Sequence, residues 1–417
     1  MSSRLPHLFR AAYNCPIIDN HAHALLKVDY KDSFPIEGIF AEASGDALTQ
    51  DSPHTISCFR AAAQLAELLG LPKDATWEEV KVKRAEIDYQ TLCKMCFDPT
   101  KIVGILLDDG LAGGDKVEDI SWHGRFAKSG VWRIVRIETE AEEILKKIVS
   151  SITESFEDLA DVHDRIYDAF TSKFEHRLKE LATSLEERVA GFKSVVCYRT
   201  GLNVSPHHDI REIQYALVKA GVMYKQTGKL RLQYKALNDY VVRACLAVAQ
   251  TTDKPVQFHT GLGDNDITLT LSSPAHLQPL IKAFPSAKFV ILHGSYPFTR
   301  EAGYLTAVYQ NVFFDFGEVF PFVSGHGQRE VVRQVLELSP TNKIMWSTDG
   351  HYWPETYYLA TIQARKALYD VLSETVHSEE LTESQAVDII KKVLFTNANR
   401  IYGLGLEEPK DVEQDVN

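Results

Sequence analysis

Two histidines separated by one residue, His21 and His23, are the first residues whose types and spacing could perform chemistry. They follow the apolar segment 16–18, and short apolar runs of this kind are typical of buried strands. Side chains two residues apart on a strand point to the same side of the sheet, so both imidazoles would face one volume. Two neutral imidazoles side by side form half of a site for a divalent metal ion.

Three further residues of metal-ligating type, His259, His293 and Asp349, end other apolar runs of the chain. A lone histidine at a strand end is usually a polar residue with a structural partner. Residues of this type at the ends of several strands favour a shared metal site instead. The mixed nitrogen and oxygen donors suit Zn²⁺ best, and Mn²⁺, Fe²⁺ or Ni²⁺ would also fit.

A lysine, Lys193, lies inside the apolar run 189–196. A buried lysine is costly unless its charge is neutralised or paired. Reaction with CO₂ would convert its amine into a carbamate that can bridge two metal ions. The alternatives are a salt bridge, or a position at the lower end of the strand from which the amine reaches solvent.

Eight short apolar runs and the helical segments between them must position these residues. Alternation of strands and helices indicates right-handed βαβ units and a parallel sheet. Eight such units predict an α/β fold, a (β/α)8 TIM barrel whose reactive groups lie at the carboxyl ends of the strands. The runs are 16–21, 102–109, 132–138, 189–196, 255–261, 288–294, 312–317 and 343–350.

The spacing of the runs is uneven, with long helical segments after the first and third strands. We predict helical insertions at about 40–100 and 139–188 within a single barrel domain that spans residues 1–417. No linker rich in Pro, Gly and Ser separates these segments from the rest of the chain.

Composition narrows the class of protein. The formal charge is −12, which argues against a nucleic-acid partner. No apolar run is long enough to span a membrane, and no secretory signal is evident. The six cysteines are scattered, and the lone CxxC pair of Cys93 and Cys96 is too weak a signal to predict a metal or redox site. We therefore expect a cytoplasmic protein with a small-molecule substrate; homo-oligomers remain compatible with the sequence.

The residues described so far resemble those of the amidohydrolase superfamily. The likeness is closer to its amidohydrolase-related (family 2) branch, which includes the N-terminal domain of FluG-type fungal proteins. It extends from about His21 to Gly403 and does not include the glutamine-synthetase-like half that some relatives carry. The segments that carry the closer likeness are 192–193, 198–202, 258–264, 293–298 and 396–402.

The resemblance implies a metal-dependent hydrolase, and it leaves two ligand arrangements open. In one, His21, His23 and Asp349 hold one ion, while His259 and His293 hold a second ion that carbamylated Lys193 bridges to the first. In the other, a single ion takes His259 as a further ligand and His293 contacts the substrate.

The chemistry of metal-assisted hydrolysis is compatible with either arrangement. A divalent ion lowers the pKa of a bound water towards about 7 and polarises the scissile carbonyl. Asp349 would take the proton of that water and pass it to the leaving group; the alternative is that Asp349 is a ligand only.

Residues near the predicted strand ends are candidates for substrate contact. Arginines there suit a carboxylate, aromatic residues suit a pocket wall, and Asp264 is placed to orient His259. For each arginine a structural salt bridge is the alternative. The candidates are Arg136, Glu138, Tyr198, Arg199, Asp264, Arg300, His351 and Trp353.

Three functions follow from these residues. The first is hydrolysis of an amide, lactone or ester bond, most simply a C–N bond, in a small carboxylate-bearing substrate. The second is a non-hydrolytic reaction on the same barrel, either decarboxylation or isomerisation of a sugar acid. The third is a regulatory or scaffolding role with a vestigial metal site, against which stands the presence of every expected ligand.

Overall fold

The computed structural model describes residues 5–111, 113–152 and 160–408. Eight strands in these ranges form one sheet in which the strands follow their order in the chain. The fold is the predicted α/β (β/α)8 TIM barrel, with helical insertions after the first and third strands. The strands are β1 (Ile17–His23), β2 (Ile102–Asp108), β3 (Gly130–Arg136), β4 (Val189–Ser194), β5 (Val256–Phe258), β6 (Phe289–Ile291), β7 (Val312–Asp315) and β8 (Ile344–Met345).

The helices occupy the segments between the strands and the two insertions. None of those in the described ranges is long and apolar enough to cross a membrane. The helices are α1 (Pro6–Asn14), α2 (Ile56–Leu69), α3 (Trp77–Ala85), α4 (Tyr89–Phe97), α5 (Ile137–Ser151), α6 (Ala160–Thr183), α7 (Ile210–Thr227), α8 (Lys235–Thr252), α9 (Gln278–Ala283), α10 (Thr299–Val308), α11 (Val319–Phe322), α12 (Gly325–Leu338), α13 (Pro354–His377), α14 (Glu383–Lys391) and α15 (Asn397–Ile401).

The chain divides into two compact units. The first unit comprises Met1–Trp132, Gly263–Asn265 and Phe314–Asn417, and the second comprises Arg133–Leu262 and Asp266–Phe313. A single domain over 1–417 stays a prediction. Residues 153–159 of the predicted second insertion lie outside the described residues.

In the first unit, the insertion after β1 shares a core with the helix that follows β8. Each of its helices α2, α3 and α4 begins at a side-chain cap, from Thr55, Thr76 and Asp88 respectively. Their apolar faces pack in one cluster with Trp353 and Leu359. The insertion is therefore anchored to the segment that leads out of β8.

The first unit also ties the end of β1 to the segment after β8 by backbone hydrogen bonds. The amide of Asp349 donates to the carbonyl of His21 at 3.0 Å, and the amide of His23 donates to the carbonyl of Gly350 at 2.7 Å. The hydroxyl of buried Tyr357, on α13, donates to the carbonyl of His23 at 2.6 Å. These bonds set the backbone positions of His21, His23 and Asp349 relative to one another.

In the second unit, β4, β5 and β6 pair in parallel. Lys193 lies opposite Gln257, and Phe258 lies opposite Ile291. The three strands end close to one another in register. Their carboxyl ends therefore lie side by side, as the sequence predicts.

Candidate metal centre

In the first unit, His21, His23 and Asp349 converge on one point. The Nε2 atoms of His21 and His23 lie 3.2 and 3.3 Å from Oδ1 of Asp349. The two imidazole rings are 5.0 Å apart, centroid to centroid, and nearly perpendicular. One donor atom from each of the three residues lies within 4.8 Å of the others. The alternation of side chains along β1 brings the two imidazoles to the same side, as predicted from their spacing.

The imidazole of His23 is held in the tautomer that a metal ligand needs. Its Nδ1 donates to the backbone carbonyl of Asp108, the last residue of β2, at 2.9 Å. The proton is therefore on Nδ1, and the Nε2 lone pair faces Asp349. Asp108 thus acts on His23 through its backbone, while its carboxylate accepts the amide of Gly110 at 2.9 Å.

The backbone around Asp349 is unusual and is supported from β1. Asp349 has φ +51°, in the left-handed region that few residues with side chains adopt. The amide of the preceding Thr348 donates to the Asp19 carboxylate at 2.9 Å, and the Thr348 hydroxyl donates to its other oxygen. Burial raises the pKa of the Asp19 carboxyl to about 8, although the hydrogen bonds from Thr348 favour the ionised form.

Two acidic residues in this unit were not predicted from the sequence. Glu318 lies three residues after β7, is 2% exposed, and has a carboxylate oxygen within 4.8 Å of one on Asp349. Burial, together with the charges of Asp349 and Asp264, raises the pKa of the Glu42 carboxyl to about 8. The apolar run 312–317 is a strand signal, so a polar residue just beyond it could have been considered. No pattern in the sequence marks Glu42.

In the second unit, Lys193, His259 and His293 form another group of donors. Nζ of Lys193 lies 3.5 Å from Nε2 of His293, and the rings of His259 and His293 are 4.4 Å apart. Lys193 is 1% exposed, so its amine does not reach solvent. Nε2 of His259 donates to the carbonyl of Leu262 at 2.7 Å, which leaves Nδ1 with the lone pair. A carbonyl contact of this kind could not be predicted from side-chain types.

Tyr198 and Arg199 lie four and five residues after the end of β4 in the same unit. The Tyr198 ring packs on His259, with centroids 4.4 Å apart. Nη2 of Arg199 lies 3.7 Å from the carboxylate of Glu142, beyond hydrogen-bond distance. Nε of Arg199 is buried and has no hydrogen-bond partner among the described residues. Burial lowers the pKa of this guanidinium, and Glu142 opposes that shift.

Arg136, the last residue of β3, and Glu138, in the first turn of α5, differ in their surroundings. Arg136 lies opposite Lys193 in the register of β3 and β4. Glu138 is 1% exposed and accepts hydrogen bonds from the Ser194 hydroxyl at 2.7 Å and the Val195 amide at 3.0 Å. These contacts hold the end of β4, which favours a structural role for Glu138 over contact with substrate.

The remaining candidates are spread over three environments. Arg300 is exposed on the first turn of α10, and Asp264 is exposed in the first unit.

His351 donates from Nδ1 to the Asp349 carbonyl at 2.9 Å, and burial lowers the pKa of the His351 imidazole. Trp353 is 2% exposed in the core shared with the insertion, where a Cβ on Gly38 would lie 2.9 Å from its ring. Its contacts favour a structural role over a pocket wall.

The donor set of the first unit fits a divalent transition metal. Two imidazole nitrogens and a carboxylate oxygen are the ligands that Zn²⁺ takes in catalytic sites, where a further position stays open to water or substrate. The three residues are between 0% and 9% exposed, and a cation would offset the charge of the enclosed Asp349. These nitrogen and oxygen donors suit Zn²⁺ best, and Mn²⁺, Fe²⁺ or Ni²⁺ would also fit.

Comparison with known sequences identifies relatives. A sequence model of the amidohydrolase family matches residues 122–404. The protein fluG of Emericella nidulans is 41% identical over 426 residues, an alignment that covers 98% of this chain and 47% of that protein. The chain thus spans about half the length of the curated relative that it matches.

Solved structures share the fold. A Lactobacillus casei protein described as a metal-dependent hydrolase superposes with a TM-score of 0.78 at 24% identity, over 95% of this chain and 97% of that one. The uronate isomerase of Bacillus halodurans has a TM-score of 0.64 at 15% identity, over 97% of each chain. That of Thermotoga maritima has a TM-score of 0.62 at 15% identity, over 95% of this chain and 96% of that one. At these identities the likeness shows the fold alone.

Proposed function

This chain belongs to the amidohydrolase family, and we propose that it is a metal-dependent hydrolase. Its substrate is a small carboxylate-bearing molecule with an amide, lactone or ester bond, most simply a C–N bond. The observation that carries the proposal is the convergence of two imidazole nitrogens on one oxygen of Asp349, at 3.2 and 3.3 Å. This arrangement would give a divalent ion three protein ligands, so that a further coordination position stays open to water or substrate.

In the proposed site, His21, His23 and Asp349 hold the ion, which we infer to be Zn²⁺. When bound, such an ion acts as a Lewis acid on the scissile carbonyl and makes a water molecule acidic enough to react near neutral pH. Side chains of the protein bind and orient the reactants and move a proton.

Asp349 is the proposed proton carrier. Its carboxylate accepts a proton from the attacking water and returns it to the leaving group, so the residue ends the reaction as it began. The backbone bond from Asp349 to His21 and the support of Thr348 by Asp19 limit movement of the carboxylate between the two transfers. His23 keeps its Nε2 lone pair available because its Nδ1 proton is engaged by the Asp108 carbonyl.

The donor group of the second unit is proposed to act in one of two ways. If Nζ of Lys193 adds to CO₂ with loss of a proton, the resulting carbamate supplies an oxygen ligand for a second ion, together with His259 and His293. If Lys193 stays an amine, His293 is a catalytic residue that contacts the substrate. The 3.5 Å distance from Nζ to Nε2 of His293 supports a shared task in either case.

Arg199 is the proposed partner of the substrate carboxylate. Its Nε has no hydrogen-bond partner among the described residues, and its nearest carboxylate, Glu142, is 3.7 Å away. A guanidinium with donors to spare can grip a carboxylate through two parallel hydrogen bonds. The adjacent Tyr198 packs on His259, so the same segment supplies an aromatic surface.

The test combines metal analysis with a substrate screen. Protein purified without chelator is analysed for metal per chain, then assayed on N-acyl amino acids, γ-glutamyl amides, lactones, aromatic acids and uronates. We expect one or two ions per chain and hydrolysis of one of the first three classes. Loss of metal in His23→Ala but not in His377→Ala, a change at an exposed histidine of α13, would assign the ion to this site.

Other outcomes would replace the proposal with a named alternative. Isomerisation of a uronate without hydrolysis would assign a sugar-acid isomerase, and release of CO₂ would assign a decarboxylase. Protein without stoichiometric metal, even after incubation with Zn²⁺, would favour a regulatory or scaffolding role.

A further inference from the structure

The segment that follows β7, residues 316–323, is here called the Glu318 loop. Glu318 is 2% exposed and has φ +59°, so its backbone is in the left-handed region. A glutamate adopts this conformation only where its surroundings hold it there. The contacts of the loop therefore show what the fold requires of Glu318.

The carboxylate of Glu318 lies close to a metal-binding residue. One of its oxygens is within 4.8 Å of one on Asp349, and both residues are buried. Two like charges at this distance repel strongly where water is largely excluded, and a cation beside them offsets that repulsion. The imidazoles of His21 and His23 face the same Asp349, so a cation site is indicated independently of the second carboxylate.

At its start, next to the end of β7, the Glu318 loop is fixed by Gly317. A Cβ at this position would lie 2.3 Å from Oγ and 2.4 Å from the carbonyl oxygen of Ser347, a separation that only glycine permits. The Gly317 amide donates to Oδ1 of Asp315 at 3.0 Å, and the Ser347 hydroxyl donates to the same oxygen at 2.9 Å. The start of the loop is thus locked to the segment that leads to Asp349.

On its other side, the Glu318 loop is held by α2, the first helix of the insertion. Nη2 of Arg60 donates to the carbonyls of Phe320 and Val323, at 3.0 and 2.8 Å. The Ser57 hydroxyl donates to the carbonyl of Phe322 at 2.7 Å. Three backbone carbonyls of the loop therefore accept hydrogen bonds from side chains of a single helix. Burial lowers the pKa of the Arg60 guanidinium to about 10.

A row of three glutamines adds a second connection between α2 and the loop. Gln64 on α2 accepts from Gln363 on α13 at 2.7 Å, and Gln363 accepts from Gln328 on α12 at 2.6 Å. Gln328 also donates to the Phe320 carbonyl. Because Gln328 and Gln363 are each 3% exposed, loss of one partner would leave buried polar groups without a hydrogen bond.

We propose that Glu318 supplies a second carboxylate to the metal centre of Asp349, and that Arg60 is a positioning residue that sets the Glu318 loop. The inference rests on the proposed function, because it takes the ion held by His21, His23 and Asp349 as its premise. Under this proposal α2, the first helix of the insertion after β1, positions Glu318, a metal-centre residue that follows β7.

The experiment measures metal binding by the full-length chain, independently of any substrate. Zn²⁺ affinity is obtained by competition with a chromophoric chelator, and the visible spectrum of the Co²⁺-loaded protein reports on the ligands. We expect Glu318→Gln to weaken Zn²⁺ binding by about 10- to 100-fold and to change the Co²⁺ spectrum. Glu67→Gln, the same chemical change at an exposed position of α2, should leave both unchanged.

Two further variants separate a role in the metal centre from a role in folding. Glu318→Asp keeps the charge and tolerates a positive φ, but withdraws the carboxylate by one methylene; it should also weaken Zn²⁺ binding. Arg60→Met should shift the Co²⁺ spectrum in the direction of Glu318→Gln, and Arg60→Lys should restore part of the wild-type spectrum. A merely structural arginine would lower thermal stability without moving that spectrum.

The results that would overturn the inference differ from those that would overturn the proposed function. Wild-type Zn²⁺ affinity and an unchanged Co²⁺ spectrum in both Glu318 variants would refute the inference and leave the metal-dependent hydrolase intact. Failure of the wild-type chain to bind Zn²⁺ would refute both.

Discussion

His123 offers a test of how the segment after the paired histidines is held. The residue is fully buried, accepts the amide of Leu25 on Nε2 at 3.0 Å, and donates from Nδ1 to the Asp119 carbonyl at 3.0 Å. The bond from Leu25 requires the neutral ring, because an imidazolium has no lone pair to accept the amide, whereas the bond to Asp119 is available to either form. Burial lowers the pKa of His123 from 6.5 to about 4.

The expected effect on stability follows from this shift. Because the unfolded chain binds the proton more readily, the contribution of His123 is fully present above pH 6.5 and is lost as pH falls from 6.5 through 4. Integrating between the two pKa values gives a loss of roughly 3 kcal/mol in unfolding free energy by about pH 4. His123→Gln presents a carbonyl and an amide without titrating, so its profile should lack this loss.

The assay is equilibrium urea unfolding from about pH 7 to about pH 4, with chelator present so that metal binding does not contribute. We expect the wild-type chain to lose roughly 3 kcal/mol more than His123→Gln over this range. His377→Gln, at an exposed position, should follow the wild-type profile. Parallel profiles for the wild type and His123→Gln would show that the buried ring does not govern the acid response.

Three further predictions concern the metal centre and the insertion. His23→Ala should abolish Zn²⁺ binding while far-UV circular dichroism stays that of a folded chain; retention of stoichiometric metal would contradict the ligand assignment. Asn tolerates the backbone φ of +51° at position 349, so Asp349→Asn should fold and keep some metal. Its turnover of the substrate found by screening should fall by about 10²- to 10⁴-fold. Turnover near that of the wild type would exclude proton transfer by Asp349. Arg84→Met leaves the buried Glu355 carboxylate without its hydrogen-bonded cation and should cost about 3–5 kcal/mol in urea unfolding. Adding Glu355→Gln should recover most of that loss, and if it does not, the pair is not the cause.

The insertion after β1 contributes more than bulk to the first unit. Its helices pack against Trp353, close in sequence to Asp349, and its Arg60 and Ser57 hold the Glu318 loop. Changes in this insertion are therefore expected to act on the proposed metal centre by moving its residues rather than by direct contact.

Much of the architecture could be read from local patterns. Each of the eight apolar runs carries its own signal, because burial on both faces of a parallel strand demands a continuous apolar stretch. The spacing of His21 and His23 was likewise sufficient, since alternation along a strand places both on one side whatever the rest of the chain does. The choice of Asp349 as their partner needed the additional premise that parallel strands of a barrel end at one rim.

The tertiary structure decided what depends on distance rather than on pattern. Glu318 stands beside Asp349 because Gly317 can approach Ser347 and because α2, more than 250 positions earlier in the chain, holds the loop carbonyls. No periodicity in the amino-acid sequence indicates such a contact. The sequence likewise could not show that Trp353 packs into a core, or that the Leu262 carbonyl holds His259. Side-chain burial and the choice of backbone acceptor are set by packing among remote segments. Strand and helix patterns, by contrast, are set by neighbours a few residues apart.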